Sequence, residues 1–581
     1  MHVTIPKTGL PVEDVLPELL DHLSKQNVAV LQAPPGAGKT TTVPLWLLQL
    51  QSLENRKIIM LEPRRLAARA AAVRMAGLLG EAVGQTVGYR IRYENKVSSQ
   101  TRIEVVTEGI LTRKLQSDPE LSDTAVVIFD EFHERSLNSD LGLALMRQTQ
   151  EFLREDLKVL VMSATLDAEG IAKLLGNAPI VTSQGKLFPV ETRYIERTPK
   201  GRYEGILSNW ITDILHEEPS GDMLVFLPGA GEINRVSSNL SAKSELADFA
   251  IHTLFGNLSQ KQQDKALSPD PKGRRKIVLA TDIAETSLTI DGVRIVVDTG
   301  LSRKPFFDPN SGMSRLELKR ISRASADQRR GRAGRQQAGV CYRMWSAAED
   351  RGLIPYSEPE IAVADLSSLA LELAKWGVTD VSELAWLTEP PEGLLSQGRE
   401  VLRSLGALDK TDKITKLGSR IVNLPLHPRL ASMIVKCEFS DDLALACDMA
   451  ALLSERDILP KNRDGSNADL RKRLQLLENA RSQSARNPAL GAVLKNSADI
   501  RKRFRVNSDQ LVNLSNAGLV LSLAYPDRIG EKRKGKSVSY RLSGGRGAAL
   551  AERDELAGEP YLVVADLDGK GRDATIRLLR P

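Results

Sequence analysis

Cysteine and aromatic side chains are scarce in this sequence. Among 581 residues there are three cysteines, Cys341, Cys437 and Cys447, and none of them belongs to a CxxC pair. That spacing supports neither a disulfide framework nor a cysteine zinc site, so we expect reduced thiols. Aromatic residues make up only 4% of the chain. A long platform of rings that stack on nucleic-acid bases is therefore not expected.

Long apolar runs are also missing. No stretch approaches the roughly 20 apolar residues that a membrane-spanning helix needs. Residues 1–20 mix prolines and acids among the apolar side chains and lack the basic start and apolar centre of a secretory signal. These features predict a cytoplasmic protein with no membrane partner.

The chain is long and mildly basic. Its 581 residues exceed what one hydrophobic core can bury, so several domains are expected. Charged residues make up 27%, and the formal net charge is +6. This charge is compatible with a polyanionic partner but does not identify one.

Short apolar segments alternate with turns and longer helical stretches from Val28 to about residue 300. This alternation is typical of an α/β fold with parallel sheets. The predicted strands fall into two series, which we interpret as two doubly wound lobes connected through residues 182–194. The first series is 28–32, 57–61, 103–106, 125–129 and 158–162, and the second is 223–227, 251–254, 276–280 and 294–297.

The composition changes after Trp345. Leu-rich and Ala-rich amphipathic stretches such as 363–376 and 429–453 predict a mainly helical half. Short β-like runs return near residue 537 and predict a small β domain. Basic runs at 471–473 and 501–505 are expected to be solvated helix faces.

The segment Ala33 to Thr40, APPGAGKT, follows a predicted strand and opens a helical run that begins at Thr41. This strand, loop and helix context is the one in which a phosphate loop occurs. Backbone N–H groups and the helix N-terminus can cradle phosphates, Lys39 can reach the β and γ phosphates, and Thr40 can ligate Mg²⁺. Ala33 stands where the general pattern has its first glycine, and the alternative is a Gly-rich turn with an incidental lysine. The residues predicted to hold the nucleotide here are Pro35, Gly36, Ala37, Gly38, Lys39, Thr40 and Thr41.

Two acids, Asp130 and Glu131, follow the apolar run 125–129. Adjacent carboxylates beside a buried sheet are costly unless a cation or a proton compensates them, and Mg²⁺ would do so. We expect both acids at the metal, with Glu131 also as the base that deprotonates the attacking water, and His133 as a sensor of that geometry. Alone, an acidic strand end is more often an ordinary loop start. Its position after a phosphate loop favours the catalytic interpretation.

Arginines mark two further segments. Arg64 and Arg65 follow the strand at 57–61, where a nucleic-acid backbone could lie across the carboxyl edge of the sheet. The segment QRRGRAGR at 328–335 contains two glycines three residues apart, which a merely solvated helix would not favour. Arg332 and Arg335 are the candidates for stabilising charge on a transferring phosphoryl group, with Gln328 near the γ phosphate.

Together these segments resemble the DEAH-type superfamily-two ATP-dependent RNA helicases. GAGKT, EPRRLAA, TEGIL, DEFH, SAT, LVFLPG, ATDIAETSLTIDGV and QRRGRAGR occur in that family's order. The similarity is greatest to its bacterial HrpB group. It extends past the two lobes to LPLHPRL at 424–430, which looks like the start of the family's helical domain.

The resemblance implies a domain order. It comprises two RecA-like lobes at 1–181 and 182–345, a winged helix at 346–424, a helical bundle at 425–528 and an OB-fold-like segment at 529–581. It also implies further sequence beyond Pro581. A hairpin is expected at 303–320, where turn residues occur at 308–312 and where the family keeps nucleic-acid strands apart.

The resemblance also implies residue roles. Arg64, Thr107 and Thr286 would contact the RNA backbone, and Asp282 would sit near the nucleotide. Ser163 and Thr165 would link the ATP site to strand binding. Arg74 matches an arginine that holds adenine, but Leu267 replaces the family's phenylalanine and leaves nucleotide preference open.

The expected activity is Mg²⁺-dependent hydrolysis of ATP, with other NTPs possible. The resemblance implies that hydrolysis drives 3′ to 5′ movement on single-stranded RNA or on RNA with a 3′ overhang, and unwinds duplexes. DNA is not excluded as a partner, and protein partners are not identified. A nucleotide-gated RNA clamp or remodeller without processive unwinding uses the same motifs. A P-loop kinase or signalling GTPase is disfavoured by the second lobe and its arginines.

Overall fold

The structure is a computed structural model. It describes residues 5–91, 94–164, 168–185, 188–199, 201–256, 258, 260–285, 290–308, 312–455, 457–459, 468–482, 488–535, 538–567 and 573–580. The chain divides into two units. The first comprises Met1–Lys304, Leu316–Glu360 and Leu384–Thr388, and the second comprises Pro305–Arg315, Ile361–Glu383 and Glu389–Pro581.

The first unit contains two RecA-like lobes, each built on a mostly parallel sheet. The strands of lobe one are β1 (Val28–Gln32), β2 (Lys57–Glu62), β3 (Val87–Ile91), β4 (Glu94–Lys96), β5 (Ile103–Thr107), β6 (Thr124–Phe129), β7 (Lys158–Ser163) and β8 (Ile180–Thr182). Its helices are α1 (Leu16–Lys25), α2 (Lys39–Leu47), α3 (Arg65–Leu78), α4 (Glu108–Ser117), α5 (Leu137–Phe152) and α6 (Ala168–Leu174). The sheet order is β4-β3-β5-β2-β6-β7-β1-β8, with β4 antiparallel to β3.

The strand order of lobe one positions the candidate site. Strands β6 and β7 are buried at every position, as expected for a parallel sheet covered on both faces. Both β1 and β6 pair with β7 in parallel. Their carboxyl ends therefore lie at one edge of the sheet, about 10 Å apart. This brings the phosphate loop after β1 close to the acids after β6.

Lobe two repeats this architecture. Its strands are β9 (Val190–Tyr194), β10 (Asp222–Phe226), β11 (Ala250–Leu254), β12 (Lys276–Ala280), β13 (Val293–Asp298), β14 (Leu301–Asp308), β15 (Met313–Arg320) and β16 (Gly339–Arg343). The main sheet has the order β11-β12-β10-β13-β16-β9, and its neighbours pair in parallel. The helices are α7 (Glu204–Glu217), α8 (Ala230–Ser241), α9 (Gln260–Leu267), α10 (Arg323–Gly331) and α11 (Ala347–Arg351). The predicted hairpin is confirmed as the two-stranded sheet of β14 and β15.

All nine predicted strands are present, with ends within one residue of those observed. The interpretation of residues 182–194 as connection alone was wrong at both ends, because β8 ends at Thr182 and β9 occupies the last five residues. The whole of β9 lies at a sheet edge and is only partly buried, so it lacks the apolar run that marks a central strand.

After lobe two the chain is mainly helical, as predicted. The helices are α12 (Ser367–Trp376), α13 (Glu392–Leu405), α14 (Lys416–Ile421), α15 (Pro428–Cys437), α16 (Leu443–Ser454), α17 (Leu470–Ser482), α18 (Pro488–Arg503) and α19 (Ala517–Ser522). They are followed by a small closed barrel of β17 (Ile529–Lys532), β18 (Ser539–Leu542), β19 (Gly547–Ala549), β20 (Tyr561–Leu567) and β21 (Asp573–Arg580). The winged-helix interpretation of 346–424 and the five domain boundaries stay predictions.

Buried ion pairs overturn part of the charge interpretation in the helical half. Arg473 is 5% exposed and donates two hydrogen bonds to Asp457, at 2.9 and 2.6 Å. Arg501 is 1% exposed and donates to both carboxylate oxygens of Asp448, at 2.9 and 2.7 Å. The prediction of solvated faces was therefore wrong for these two arginines, since Arg501 joins α18 to α16 and Arg473 joins α17 to the segment after α16.

All three cysteines are free and buried. In the part of the chain that the structure describes, no helix combines the length and apolar character needed to span a membrane.

Candidate nucleotide site between the two lobes

The loop after β1 has the backbone of an anion cradle. Gly36 and Gly38 both adopt positive φ, at 89° and 96°, just before α2 begins at Lys39, a conformation in which neighbouring N–H groups can form an anion-binding concavity. The loop is closed by a hydrogen bond from the N–H of Ala37 to the carbonyl of Pro34, at 3.2 Å. Pro35 and Thr41 flank the cradle and are partly buried. The loop thus combines positive φ angles with a tight turn at the start of a helix, and its role in phosphate binding stays a prediction.

Leu10 and Val12, which no sequence motif marks, pack against this loop. The N–H of Val12 donates to the carbonyl of Ala37 at 3.1 Å. A Cβ on Gly38 would lie 2.7 Å from Cδ1 of Leu10, so Leu10 occupies the space that any larger residue would need. No motif marks Leu10 or Val12, because their role depends on packing rather than on residue chemistry.

Lys39 and Thr40 meet the two predicted acids. Lys39 Nζ lies 2.7 Å from Oε1 of Glu131 and 3.9 Å from Oδ1 of Asp130. The hydroxyl of Thr40 donates to Oδ2 of Asp130 at 2.5 Å. Lys39, Asp130 and Glu131 are at most 5% exposed. The four residues assigned to phosphate, metal and base therefore form one buried cluster.

The electrostatics of the cluster favour an ionised Glu131. Burial acts to raise the pKa of this carboxyl, but Lys39, His133 and Arg332 outweigh it and lower the pKa to about 2. Burial opposes the charge on Lys39 in the same way, yet Glu131 and Asp130 hold the pKa of Lys39 above its usual value. The charges of Lys39 and Glu131 therefore stabilise each other.

His133 connects this cluster to the end of β7. Its Nδ1 accepts a hydrogen bond from the N–H of Ala164 at 3.3 Å, and its Nε2 lies 3.3 Å from Oε2 of Glu131. The carbonyl of Ser163 accepts a hydrogen bond from the N–H of Ala33 at 3.0 Å, at the start of the phosphate loop. The predicted linking residues His133 and Ser163 therefore join the acids to the loop. Thr165 lies outside the described residues.

Lobe two presents its arginines to the same cluster. Arg332 is buried, and its Nε donates to the carbonyl of Glu285 at 2.9 Å. Arg335 Nε lies 4.0 Å from the position that a Cβ on Gly36 would take. Burial lowers the pKa of Arg335 to about 10, although the charge of Glu131 acts to raise it. Burial also lowers the pKa of Arg332 well below its usual range, and the like charge of Arg335 adds to this effect. An anion between them would relieve this cost.

Arg329, one helical turn before Arg332, has a different role. Its guanidinium bonds to Glu285 at 2.8 Å and to Asp298 at 2.9 Å and lies over the ring of Phe226. Arg329 thus holds Glu285 in place. Because Arg332 donates to the carbonyl of Glu285, the same ion pair helps to position Arg332. Residue identity alone does not separate Arg329 from its neighbours, because the segment 328–335 contains four arginines.

Several buried polar atoms have no hydrogen-bond partner among the described residues, and two of them lie on side chains assigned to the γ phosphate and the attacking water. These two are Nε2 of Gln328, which is a donor, and Oε2 of Glu131, which is an acceptor. Such atoms are costly unless a ligand or water satisfies them. A phosphate oxygen fits the first and an attacking water fits the second. Together with Thr40 and Asp130, whose oxygens suit a hard cation, the residues present fit a Mg²⁺–nucleotide complex.

The predicted nucleic-acid contacts lie at the carboxyl edge of the lobe-one sheet. Arg65 is exposed at the start of α3, and Thr107 ends β5 in register with Glu62 of β2. Arg64 reaches lobe two, where it donates to the carbonyl of Asp282 at 2.9 Å, and it lies 3.4 Å from Glu134. Asp282 is therefore beside Arg64. Thr286 lies outside the described residues.

The two positions considered for binding the base, Arg74 and Leu267, lie in different environments. Arg74 is exposed on α3. Leu267, at the end of α9, packs against the buried core of lobe two. An aliphatic side chain held in that core offers no face for stacking on a base, so the question of nucleotide preference stays open at this position.

Two family profiles match the chain. DEAD/DEAH box helicase matches residues 13–174, and helicase conserved C-terminal domain matches residues 207–337. Both matches fall on the lobes that form the cluster.

Several proteins are similar over most of the chain. It is 43% identical over 556 residues to the ATP-dependent RNA helicase HrpB of Escherichia coli, which covers 96% of this chain and 66% of that protein. It is 36% identical to the ATP-dependent RNA helicase HrpA homolog of Haemophilus influenzae, over 74% of this chain and 33% of that protein. The probable ATP-dependent RNA helicase DHR2 of Saccharomyces cerevisiae is 34% identical, over 79% of this chain and 64% of that protein. The chain thus spans less than two thirds of the length of these relatives.

Solved structures agree. The E. coli DExH-box NTPase HrpB superposes with a TM-score of 0.83 at 42% identity, over 100% of this chain and 69% of that one. A second structure, described as the E. coli DEAH/RHA helicase HrpB, gives 0.86 at 42% identity, over 98% and 70%.

Proposed function

The chain belongs to the DEAD/DEAH box helicases, and from that premise we propose that it is an ATP-dependent RNA helicase whose Mg²⁺-dependent ATPase site lies between its lobes. One observation carries the proposal. The Lys39, Asp130 and Glu131 cluster of lobe one faces Arg332 and Arg335 of lobe two, so that bound phosphates would be held from both sides. Hydrolysis would then depend on how the lobes meet.

Lys39 and Glu131 would change partners when nucleotide binds. The backbone of the loop from Gly36 to Lys39 would bind the phosphates, and Lys39 would move from Glu131 to the β and γ phosphates. Mg²⁺, held by Thr40 and Asp130, would supply charge neutralisation at the phosphates. Glu131, released from Lys39, would then accept a proton from the water that attacks the γ phosphorus.

Lobe two would stabilise the charge that develops during attack. Arg332 and Arg335 would donate to the equatorial phosphoryl oxygens, and Gln328 would orient the water or the γ phosphate. His133, between Glu131 and the N–H of Ala164, would report the state of the acid to the end of β7.

Arg64 would couple this chemistry to RNA. It contacts Glu134, which follows the catalytic acids, and the carbonyl of Asp282 in lobe two. A phosphate of the RNA backbone would compete for the same guanidinium. RNA at Arg64, Arg65 and Thr107 would then alter the contact between the lobes, which is the basis we propose for RNA-stimulated hydrolysis.

The direction of movement is proposed from the family as 3′ to 5′ on single-stranded RNA. The cytoplasmic setting and the use of other NTPs stay predictions, and DNA stays a possible partner beside RNA.

Strand displacement tests this proposal against a nucleotide-gated clamp. RNA duplexes with a 3′ or a 5′ overhang are incubated with the protein, Mg²⁺ and ATP. A helicase is expected to displace the strand of the 3′-overhang duplex and to require hydrolysis. Nucleotide-dependent binding with no displacement from either overhang would favour the clamp.

A further inference from the structure

Glu62 ends β2 and has no role in the mechanism above. Its side chain is 0% exposed, and neither carboxyl oxygen accepts a hydrogen bond from an N–H or O–H group among the described residues. Strand β2 lies between β5 and β6, so Glu62 stands beside the end of the strand that carries Asp130. It is a buried acid at the edge of the nucleotide site.

Glu62 lies against another acid. Its carboxyl group faces that of Asp130, and the charge of Glu131 acts on it as well. Two carboxylates that face each other are both acceptors, so the arrangement favours a positively charged or hydrogen-bond-donating group beside them.

Two other buried acids of the first unit each have a positively charged side chain beside them. Glu104, 1% exposed on the neighbouring β5, lies 2.8 Å from Arg90 and 3.4 Å from Lys114. Asp298, 0% exposed, bonds to Arg329 at 2.9 Å. Glu62 differs from both, because no described cation bonds to it.

Lys39 does not fill this role. It bonds to Glu131 at 2.7 Å, and on nucleotide binding it is expected to turn to the phosphates. The cation that would suit the acids at that stage is Mg²⁺. Among the described residues no group of three or more His, Cys, Asp and Glu side chains could close directly on a metal ion. Mg²⁺ instead keeps several of its waters when it binds through one or two carboxylates and substrate phosphates.

We propose that Glu62 is part of the Mg²⁺ site, where its carboxylate accepts a hydrogen bond from a water bound to the ion that Thr40 and Asp130 hold. This inference rests on the proposed function. Glu62 would orient that water and add negative charge, so that it raises the affinity for the metal without touching the phosphates.

Binding of Mn²⁺ to the full chain in the presence of ADP tests the role of Glu62 without relying on activity. Free Mn²⁺ is counted from its electron paramagnetic resonance signal. Glu62→Gln keeps the size of the side chain but removes its charge, and it is expected to weaken Mn²⁺ binding about tenfold. Glu62→Asp keeps the charge and should retain part of the affinity. Glu104→Gln, the matched buried acid on β5, should bind Mn²⁺ like the unmodified chain, and circular dichroism verifies that each variant is folded.

Asp130→Asn distinguishes a wrong role for Glu62 from a wrong assignment of the metal site. If Asp130→Asn binds Mn²⁺ weakly and Glu62→Gln binds it normally, the role of Glu62 is wrong and the proposed function stands. If Asp130→Asn also binds normally, the metal site itself is wrong. An equal loss in Glu104→Gln and Glu62→Gln would overturn the inference too, because the effect would then belong to any buried acid of this sheet.

Discussion

At the scale of single residues, the site is defined by which lysine, acid and arginine side chains meet. Lys39 and Glu131 are paired at 2.7 Å, and Arg332 contributes to the low pKa of Glu131 from the other lobe. A carboxylate with a pKa of about 2 is a weak base while Lys39 holds it. The arrangement therefore implies that Glu131 becomes an effective base only after Lys39 has moved to the phosphates.

The arginines of α10 and the turn after it provide a matched pair of variants. Arg335 lies beside the phosphate loop. Arg330 is 43% exposed and forms a long ion pair, with 3.8 Å between its Nε and Oδ1 of Asp327. Arg335→Ala is expected to lower the turnover of ATP by about 10³-fold, because the transition-state charge loses a donor. Arg330→Ala should change it little. Steady-state ATP hydrolysis with single-stranded RNA measures both, and equal losses in the two variants would argue against a specific role for Arg335.

Much of this site could be predicted from residue identity alone. Lys39, Asp130 and Arg335 were predicted because their chemistry and order in the chain point to phosphates and metal. Glu62 and Leu10 were not predicted, because an acid or a leucine has no special meaning until its neighbours are known. Arg501 was assigned to solvent for the same reason, since its partner Asp448 is 53 residues away in sequence.

At the scale of elements, the phosphate loop depends on a conformation that only glycine adopts easily. Gly38 has a φ of 96°, and the space beside it holds Leu10. Gly38→Ala is expected to destabilise the fold by about 1–2 kcal/mol and to raise the KM for ATP. Gly77→Ala, in α3 where a Cβ would meet nothing within 4 Å, should stabilise the fold by about 0.5–1 kcal/mol. Urea unfolding and ATP titrations check both, and an unchanged Gly38→Ala variant would contradict the account of the loop.

The start of α4 contains a carboxyl group that makes stability depend on pH. Burial raises the pKa of Glu108 to about 7, against the hydrogen bond from Ser136, and Glu134, Glu360 and Asp140 add to the rise. Between about pH 4.5 and about pH 7 the folded state keeps a proton that the unfolded state loses, so this contribution to stability is lost as pH rises.

Glu108→Gln removes that titration. The free energy of unfolding of the unmodified chain should fall more steeply between about pH 5 and about pH 8 than that of Glu108→Gln, by up to about 3 kcal/mol. Urea unfolding across this range measures the two slopes. Parallel slopes would show that Glu108 does not titrate there.

Strands with a continuous apolar run were predicted well, whereas the more polar strand β9 was not. Strands β6 and β7 are fully buried, so their sequences contain only the signal of a central strand. Strand β9 is partly exposed at the edge of its sheet, and its sequence, VETRY, is mostly polar. Its assignment depends on pairing with β16, which no local pattern reveals.

At the scale of the whole molecule, hydrolysis and strand separation should be separable. The hairpin of β14 and β15 exposes two leucines on one face of β15, Leu316 at 61% and Leu318 at 53%. Replacing both with serine is expected to reduce strand displacement severalfold and to leave RNA-stimulated ATP hydrolysis unchanged, because both side chains lie on the exposed face of the hairpin. Phe152→Ser, at an exposed phenylalanine that ends α5, serves as the control. Equal losses of both activities would argue against a strand-separating hairpin.

The account as a whole requires that the buried cluster between the lobes hydrolyses ATP with Glu131 as its base. The most direct measurement is ATP hydrolysis by the unmodified chain and by Glu131→Gln, with single-stranded RNA, with single-stranded DNA and without nucleic acid. The account predicts stimulation by RNA in the unmodified chain, and a turnover lowered by about 10²–10⁴-fold in Glu131→Gln with ATP binding retained. Undiminished hydrolysis by Glu131→Gln would contradict it.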